Sequence, residues 1–163
     1  MAAGATYTPI ANTTIGTAVA SYTFSSISGS YTDLVLIYSG SITTGAGNGY
    51  VRFNGDTASN YSDTYLYGNG TTAGSGRTSS STVLYCFNTS TTQENAILNI
   101  INYSNSTTYK TVLSRANESA TLTAVYVGLW RATPAPITSI LIATDTSTFV
   151  AGTSFTLYGI TAA

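Results

Sequence analysis

The spacing of apolar residues limits this chain to one class of fold. About ten short runs rich in β-branched and aromatic residues recur along it, separated by Gly, Asn, Ser, Thr and Pro. They cover residues 19–27, 31–39, 49–54, 64–68, 81–88, 95–103, 108–115, 120–130, 137–144 and 154–160. No segment of helical length repeats apolar residues every 3.6 positions. The sequence therefore predicts an all-β protein, an antiparallel two-sheet β-sandwich, with a jelly roll as the favoured topology.

The two ends of the chain differ in pattern. A length of 163 residues fits one domain, and 43% hydrophobic residues are enough for its core. Residues 1–18 contain only isolated apolar residues, so we expect an N-terminal arm over 1–18 and a single β-sandwich domain over 19–163. Two interpretations of the arm stay open: a frayed terminus, or a segment that docks onto a neighbouring subunit through Tyr7, Pro9 and Ile10.

A low charge content is the unusual feature of the composition. Only 7% of the residues are charged, against ~25% in typical domains, so Ser, Thr, Asn and Gly must form most of the surface. The five basic residues are scattered, which predicts that the chain binds no nucleic acid. No stretch approaches the ~20 apolar residues of a membrane span. The N-terminus lacks the basic region and apolar core of a signal peptide.

The residue types needed for most catalytic sites are missing. There is no His, and the single cysteine, Cys86, lies in an apolar run typical of a buried thiol. Ser–His–Asp and Cys–His arrangements are therefore excluded, and one Cys with no His disfavours a zinc site. Paired carboxylates remain, but nothing in the pattern brings two of the acidic residues to one cleft. These are Asp33, Asp56, Asp63, Glu94, Glu118 and Asp145. We expect a protein that is not an enzyme, with no catalytic residues and no cofactor.

Two polar segments are open to a more specific interpretation. In residues 51–70, Asn54, Asp56, Asn60 and Asp63 carry oxygen ligands, but their spacing is irregular and no Glu closes a calcium loop. The Asn54–Gly55 pair favours a turn instead, so we predict no metal site. Residues 68–80 are rich in Gly, Ser and Thr, which predicts a mobile surface loop.

Several segments resemble a family of small structural proteins of tailed bacteriophages. The resemblance begins in "TYTPIANTT", continues through "FSSI" and "YTDL", and extends to "RFNGDTASNYS", "GLWRATPAPITSILI" and "FVAGTSFTLYGI". It spans essentially the whole chain, in order. It implies that these segments are architectural, with Phe24 in a strand, Trp130 in the core, and Leu157 and Tyr158 in the last strand.

The resemblance also implies a function in the virion. The expected role is that of a capsid decoration, or cement, protein that binds the major capsid protein on the outer surface, as a homotrimer. Synthesis in the host cytoplasm without a signal peptide is expected. A tail-fibre or fibre-tip protein, contacting tail proteins or a host surface glycan, is the alternative. A carbohydrate-binding module is a third interpretation, because exposed tyrosines among the chain's 13 could stack on sugars.

Overall fold

A computed structural model describes residues 6–118 and 121–161, which form twelve strands. The first six are β1 (Tyr7–Thr14), β2 (Ser21–Phe24), β3 (Asp33–Gly40), β4 (Ala46–Phe53), β5 (Tyr61–Gly68) and β6 (Ala73–Ser81). The others are β7 (Leu84–Ser90), β8 (Glu94–Ile101), β9 (Lys110–Glu118), β10 (Leu122–Trp130), β11 (Ile140–Thr144) and β12 (Ser154–Ile160). The described residues include no helical segment that could span a membrane.

The strands form two antiparallel sheets, which confirms the predicted all-β sandwich. The larger sheet has eight strands in the order β1-β12-β3-β8-β9-β10-β5-β6, and the smaller has four in the order β2-β11-β4-β7. Neighbouring strands in both sheets pair in antiparallel orientation.

The connectivity of eight of these strands is that of a jelly roll. Strand β1 pairs with β12, β2 with β11, β3 with β8, and β4 with β7, so the chain folds back on itself like one long hairpin. That hairpin is then rolled, because β12 also pairs with β3 and β11 with β4. We call these eight strands the closed region, since its two four-stranded layers lie opposite each other.

The remaining four strands are two insertions in the jelly roll. Strands β5 and β6 are inserted between β4 and β7, and β9 and β10 between β8 and β11. Both insertions join the larger sheet, in the order β9-β10-β5-β6, and extend it past the edge strand β7 of the smaller sheet. We call these four strands the overhang.

The core lies between the two sheets, mostly within the closed region, and continues along the inward faces of β9 and β10. Its largest side chains are aromatic: Tyr38 packs against Phe87 with ring centroids 4.7 Å apart, and Phe149 packs edge-on against Phe155 at 5.1 Å. Three residues expected to be architectural, Phe24, Trp130 and Leu157, are also buried. Tyr158 lies in the last strand but is only partly buried, because it faces outward beside Tyr7.

The structure corrects the expected N-terminal arm. Residues Tyr7–Thr14 form β1, which pairs with β12 at one edge of the larger sheet, so this segment is the first strand of the jelly roll. Pro9 has no N–H to donate, and an edge strand tolerates it. The register shifts between Pro9 and Ala11, which places a bulge at Ile10 and obscures the alternation in the sequence. Residues 1–5 lie outside the described residues.

The expected mobile loop over residues 68–80 is also wrong for most of its length. Ala73–Ser81 form β6, which pairs with β5 at the other edge of the larger sheet. Only the short connection before Ala73 is a turn, in which the Asn69 side chain accepts hydrogen bonds from the N–H groups of Thr71 and Thr72 at 3.0 and 2.7 Å. The segment is a strand despite its composition because β5 supplies the side chains that cover it.

Candidate functional site

A cleft opens where the overhang extends past the smaller sheet. Its volume is about 440 Å³. The inner faces of β5, β6 and β10 form one wall, and Asn48 of β4 with Tyr85 and Asn88 of β7 forms the other. The lining residues are Asn48, Asp63, Tyr65, Tyr67, Thr78, Tyr85, Asn88, Leu122, Ala124 and Tyr126. Because the inner faces of β5 and β6 have no complete layer opposite them, polar and aromatic residues replace the aliphatic residues of the closed region.

Asp63 is the one carboxylate in this lining. The side chain is 2% exposed, and neither oxygen makes a hydrogen bond of normal geometry. Burial raises the pKa of Asp63 to about 6, and the nearby Thr78 hydroxyl and Tyr85 N–H offset only part of that effect. A carboxylate in this position gives the cleft a negative charge near neutral pH.

Tyrosines form most of the aromatic surface of the cleft. The rings of Tyr65 and Tyr126 are 5.6 Å apart, and those of Tyr65 and Tyr67 are 6.3 Å apart. The Tyr126 hydroxyl donates to Asn88 Oδ1 at 2.8 Å. Within the described part of the chain, the hydroxyls of Tyr65, Tyr67 and Tyr85 form no hydrogen bond, so they are free to contact a ligand.

Two glycines on β6 hold the β5 tyrosines in place. In the register of the two strands, Tyr65 is opposite Gly76 and Tyr67 is opposite Gly74. A Cβ atom at Gly74 would lie 2.7 Å from the phenol end of Tyr67, and one at Gly76 would overlap that of Tyr65. Each ring therefore lies across the neighbouring strand, over its glycine. This covering of edge glycines by aromatic rings also fixes the strand register.

The two aspartates of residues 51–70, Asp56 and Asp63, lie in different environments. Asn54 and Gly55 both have positive φ angles, 54° and 68°, and the Asp56 N–H donates to the Phe53 carbonyl across them, as in a type I′ turn. The turn does not make a hairpin, because β4 and β5 belong to different sheets. Asp63, by contrast, lies inside the cleft on β5.

The Asp56 carboxylate is occupied by donors from the protein. It accepts from Trp130 Nε1 at 2.7 Å, from Asn60 Nδ2 at 2.9 Å and from the Ala58 N–H at 2.9 Å. Burial raises the pKa of Asp56, but these three hydrogen bonds outweigh that effect and lower it below the usual value. The carboxylate thus anchors the core tryptophan and the turn. Among the described residues, no three His, Cys, Asp or Glu side chains come together as they would around a metal.

Two further ionisable groups are buried away from the cleft. Lys110 donates through Nζ to the carbonyls of Asn105 and Thr108, which closes the turn before β9. Glu94 is fully buried at the start of β8, and burial raises its pKa to about 7 despite the nearby Ser90. The carbonyls around Lys110 account for its position, whereas both Glu94 oxygens are buried without a hydrogen-bond partner among the described residues.

The outward face of the overhang is apolar. Leu66, Leu113, Val125 and Val127 are exposed there, together with Ile101 on the adjacent strand β8, and we call these five residues the outer apolar face. They lie on four neighbouring strands, β5, β10, β9 and β8. Arg115 is the one charged side chain among the outward-facing positions of these strands.

Of the residues singled out in the sequence, only Asp63 lines the cleft. Tyr7, Pro9 and Ile10 lie on β1, at the opposite edge of the larger sheet from β6, and Phe24, Trp130 and Leu157 are in the core. The prediction of a loop over residues 68–80 left out β6, which forms part of the cleft wall. The sequence signal for β6 is that Gly74 and Gly76 have the same two-residue spacing as Tyr65 and Tyr67.

Comparisons with known proteins add little to this description. No family model matches the sequence, and no curated protein matches it. Similar solved structures include an alginate lyase in complex with alginate tetrasaccharide, at 9% identity and a TM-score of 0.32. That match covers 82% of this chain and 72% of the lyase chain. A likeness this distant gives no indication of activity.

Proposed function

We propose that this chain is a non-enzymatic structural protein of a tailed bacteriophage virion. Its role is that of a capsid decoration protein, which binds the major capsid protein on the outer surface as a symmetric homotrimer. The resemblance of the sequence to phage structural proteins motivates the proposal. The structural observation that carries it is the outer apolar face.

The outer apolar face has the composition of a surface that another subunit covers. Val125 pairs with Leu66, and Val127 pairs with Leu113 on the other side, so the four side chains form one continuous group. Leu66 is 61% exposed and Val127 50% exposed. Contiguous exposed apolar residues of this kind mark protein interaction sites. We propose that the face packs against a neighbouring copy of the chain, and that the assembled trimer then binds the shell.

A charge placed on this face tests the assembly. The purified protein should be a trimer by native mass spectrometry, and Val127→Lys should convert it to a monomer with unchanged folding. Thr23→Lys is the matched control, because Thr23 is an exposed position on the outer side of the smaller sheet, and this variant should remain a trimer. A monomeric wild type, or a Val127→Lys variant that remains a trimer, would contradict the proposed interface.

Binding to virus particles tests the location. The trimer should bind capsids that lack it, at many sites, and should do so more weakly as Val127→Lys. Labelling confined to tail tips would favour the fibre-tip alternative instead. The inter-subunit role of Tyr7, Pro9 and Ile10 stays a prediction, and Tyr7→Ala tests it, since Tyr7 is 55% exposed at the free edge of β1.

A further inference from the structure

We infer that the tyrosine-lined cleft is a binding site for a neutral sugar ring of a glycan. The inference rests on the inner face of the overhang and is independent of the outer apolar face. A ligand site and an assembly surface would then occupy the two sides of the same strands.

The charge of the cleft sets the class of ligand. Asp63 is the only charged residue in its lining, and none of the chain's five basic residues is among the lining residues. A phosphate, a nucleic acid or an acidic sugar would therefore meet a negative charge with no cation to offset it. The cleft thus favours an uncharged ligand or a cationic one.

The uncharged groups of the cleft match a ligand with many hydroxyls. The hydroxyls of Tyr65, Tyr67 and Tyr85 are free in the described structure, and each can donate and accept. Asn48 uses its side-chain Nδ2 on Asp145 at 3.1 Å, which leaves its Oδ1 available as an acceptor. Asn88 uses its Oδ1 on Tyr126, which leaves its Nδ2 available as a donor. Convergent polar groups of this kind, set among aromatic rings, are typical of small-molecule sites.

The two tyrosines over the glycines provide the apolar part of the site. Because the phenol ends of Tyr65 and Tyr67 lie across β6, their rings are held along the sheet and contribute to the wall of the cleft. Tyr67 is 36% exposed, so a ligand can reach it without displacing other side chains. The C–H face of a sugar ring would pack on these rings while its hydroxyls meet the polar groups around them.

A cationic ligand is the competing class, because aromatic rings and a carboxylate also attract a quaternary ammonium. Both oxygens of Asp63, however, are closed off from solvent. Such a cation would gain no direct ion pair, and it would leave the tyrosine hydroxyls and amides without partners. The sugar satisfies them, so we favour it.

Binding of defined oligosaccharides tests the inference. The probes are neutral gluco-, galacto- and manno-oligosaccharides, with uronic acid oligosaccharides and tetramethylammonium as the other two classes, measured by NMR titration. At least one neutral probe should bind and shift the signals of the cleft residues. Tyr67→Ala should weaken that binding roughly tenfold or more. The control Tyr109→Ala removes a tyrosine that is 54% exposed outside the cleft, and it should leave affinity unchanged.

Two further variants separate the contributions of the Tyr65 ring and of the Asp63 charge to binding. Gly76→Ala keeps every lining side chain but displaces Tyr65, so it should also weaken binding, and a matching NMR spectrum outside the cleft would show that the fold is intact. Asp63→Asn should retain neutral binding and reduce the discrimination against uronic acid oligosaccharides. Val127→Lys should bind neutral probes normally, so loss of assembly and loss of sugar binding are distinguishable.

The following results would overturn the inference. Absence of binding by every neutral probe would do so, as would binding of tetramethylammonium or uronic acid probes alone. Equal losses in Tyr67→Ala and Tyr109→Ala would place the sugar elsewhere on the surface.

Discussion

The closed region and the overhang are both built from antiparallel strands, but their inward-facing side chains have different environments. In the closed region, inward positions such as Tyr38, Phe87 and Phe155 are fully buried between two layers. In the overhang, the corresponding positions of β5 and β6 include Asp63, Tyr65, Tyr67 and Thr78, and they line a cleft. The difference follows from the number of layers, because β5 and β6 extend past the smaller sheet.

This contrast indicates how insertions can widen one sheet of a jelly roll without interrupting its core. Both insertions add strands to one sheet only: the inward positions of β9 and β10 are buried, whereas β5 and β6 extend past the second layer. The inner face is then free to carry polar and aromatic groups, while the outer face carries aliphatic residues suited to a partner. Stability is expected to come mainly from the closed region, and specificity from the overhang.

The largest expected effect is at the junction of the two regions. Trp130 lies at the end of β10, with its ring 5.6 Å from Phe53 and 6.4 Å from Tyr61, where the chain crosses from one sheet to the other. Trp130→Ala should destabilise the protein by about 3–5 kcal/mol in denaturant unfolding, as for other buried aromatics. Trp130→Phe, which keeps a ring but loses the bond to Asp56, should cost less. If Trp130→Ala left the midpoint unchanged, the two regions would be energetically separate.

A pair of identical substitutions compares the regions directly. A Cβ at Gly49 would overlap the ring of Phe87, which is buried in the closed region and has nowhere to move. Gly49→Ala should therefore cost about 3 kcal/mol, at the upper end for overpacking. In Gly76→Ala, Tyr65 can swing into the cleft, so the cost should be about 1 kcal/mol. Equal melting temperatures of the two variants would show that the overhang is packed as rigidly as the core.

The pH dependence of stability tests the environment of Asp63. Its pKa is about 6 in the folded protein, above the ~3.9 of an exposed aspartate. The folded state therefore binds the proton more tightly, and this contribution to stability is present below about pH 4 and lost as the pH rises through about 6. Asp63→Asn should raise the free energy of unfolding by about 2 kcal/mol near pH 8 and change it little near pH 4.

Glu94 is the reference in the closed region for that measurement. Its pKa of about 7 gives a second loss of stability at slightly higher pH, which should persist in Asp63→Asn and disappear in Glu94→Gln. A wild type whose stability rises steadily from acid to neutral pH would contradict the buried, weakly hydrogen-bonded state of both carboxylates.

Most strands of the closed region are visible in the sequence, whereas β6 of the overhang is not, and the reasons are physical. Strands such as β3 and β8 carry many apolar residues because their inward positions fill the core, and that pattern is visible in the sequence. Strand β6 has no such signal, since its inward positions are glycines covered by side chains from β5. Strand β1 was not predicted because it lies at a sheet edge, contains Pro9 and has a bulge at Ile10 that interrupts its alternation.

The candidate site could not be predicted for a related reason. A cleft that depends on Tyr65 lying over Gly76 becomes visible only once the pairing of β5 with β6 is known. Asp63 gives no sign in the sequence that it faces inward, because it lies in a polar stretch together with Asp56. The outer apolar face was equally hidden, since Val125 and Val127 alternate with buried residues in a strand that appears apolar on both faces.

Electron cryomicroscopy of the tailed bacteriophage particle to which we propose this chain belongs tests the central claim most directly. The claim is that the closed region supplies the stable fold while the two faces of the overhang make the functional contacts. The account predicts trimeric density on the capsid, with Leu66, Val125 and Val127 buried against a neighbouring subunit and the tyrosine-lined cleft open to the outside. Density in which this face is exposed to solvent and the contacts are made by the closed region would contradict the account, as would the absence of the chain from the particle.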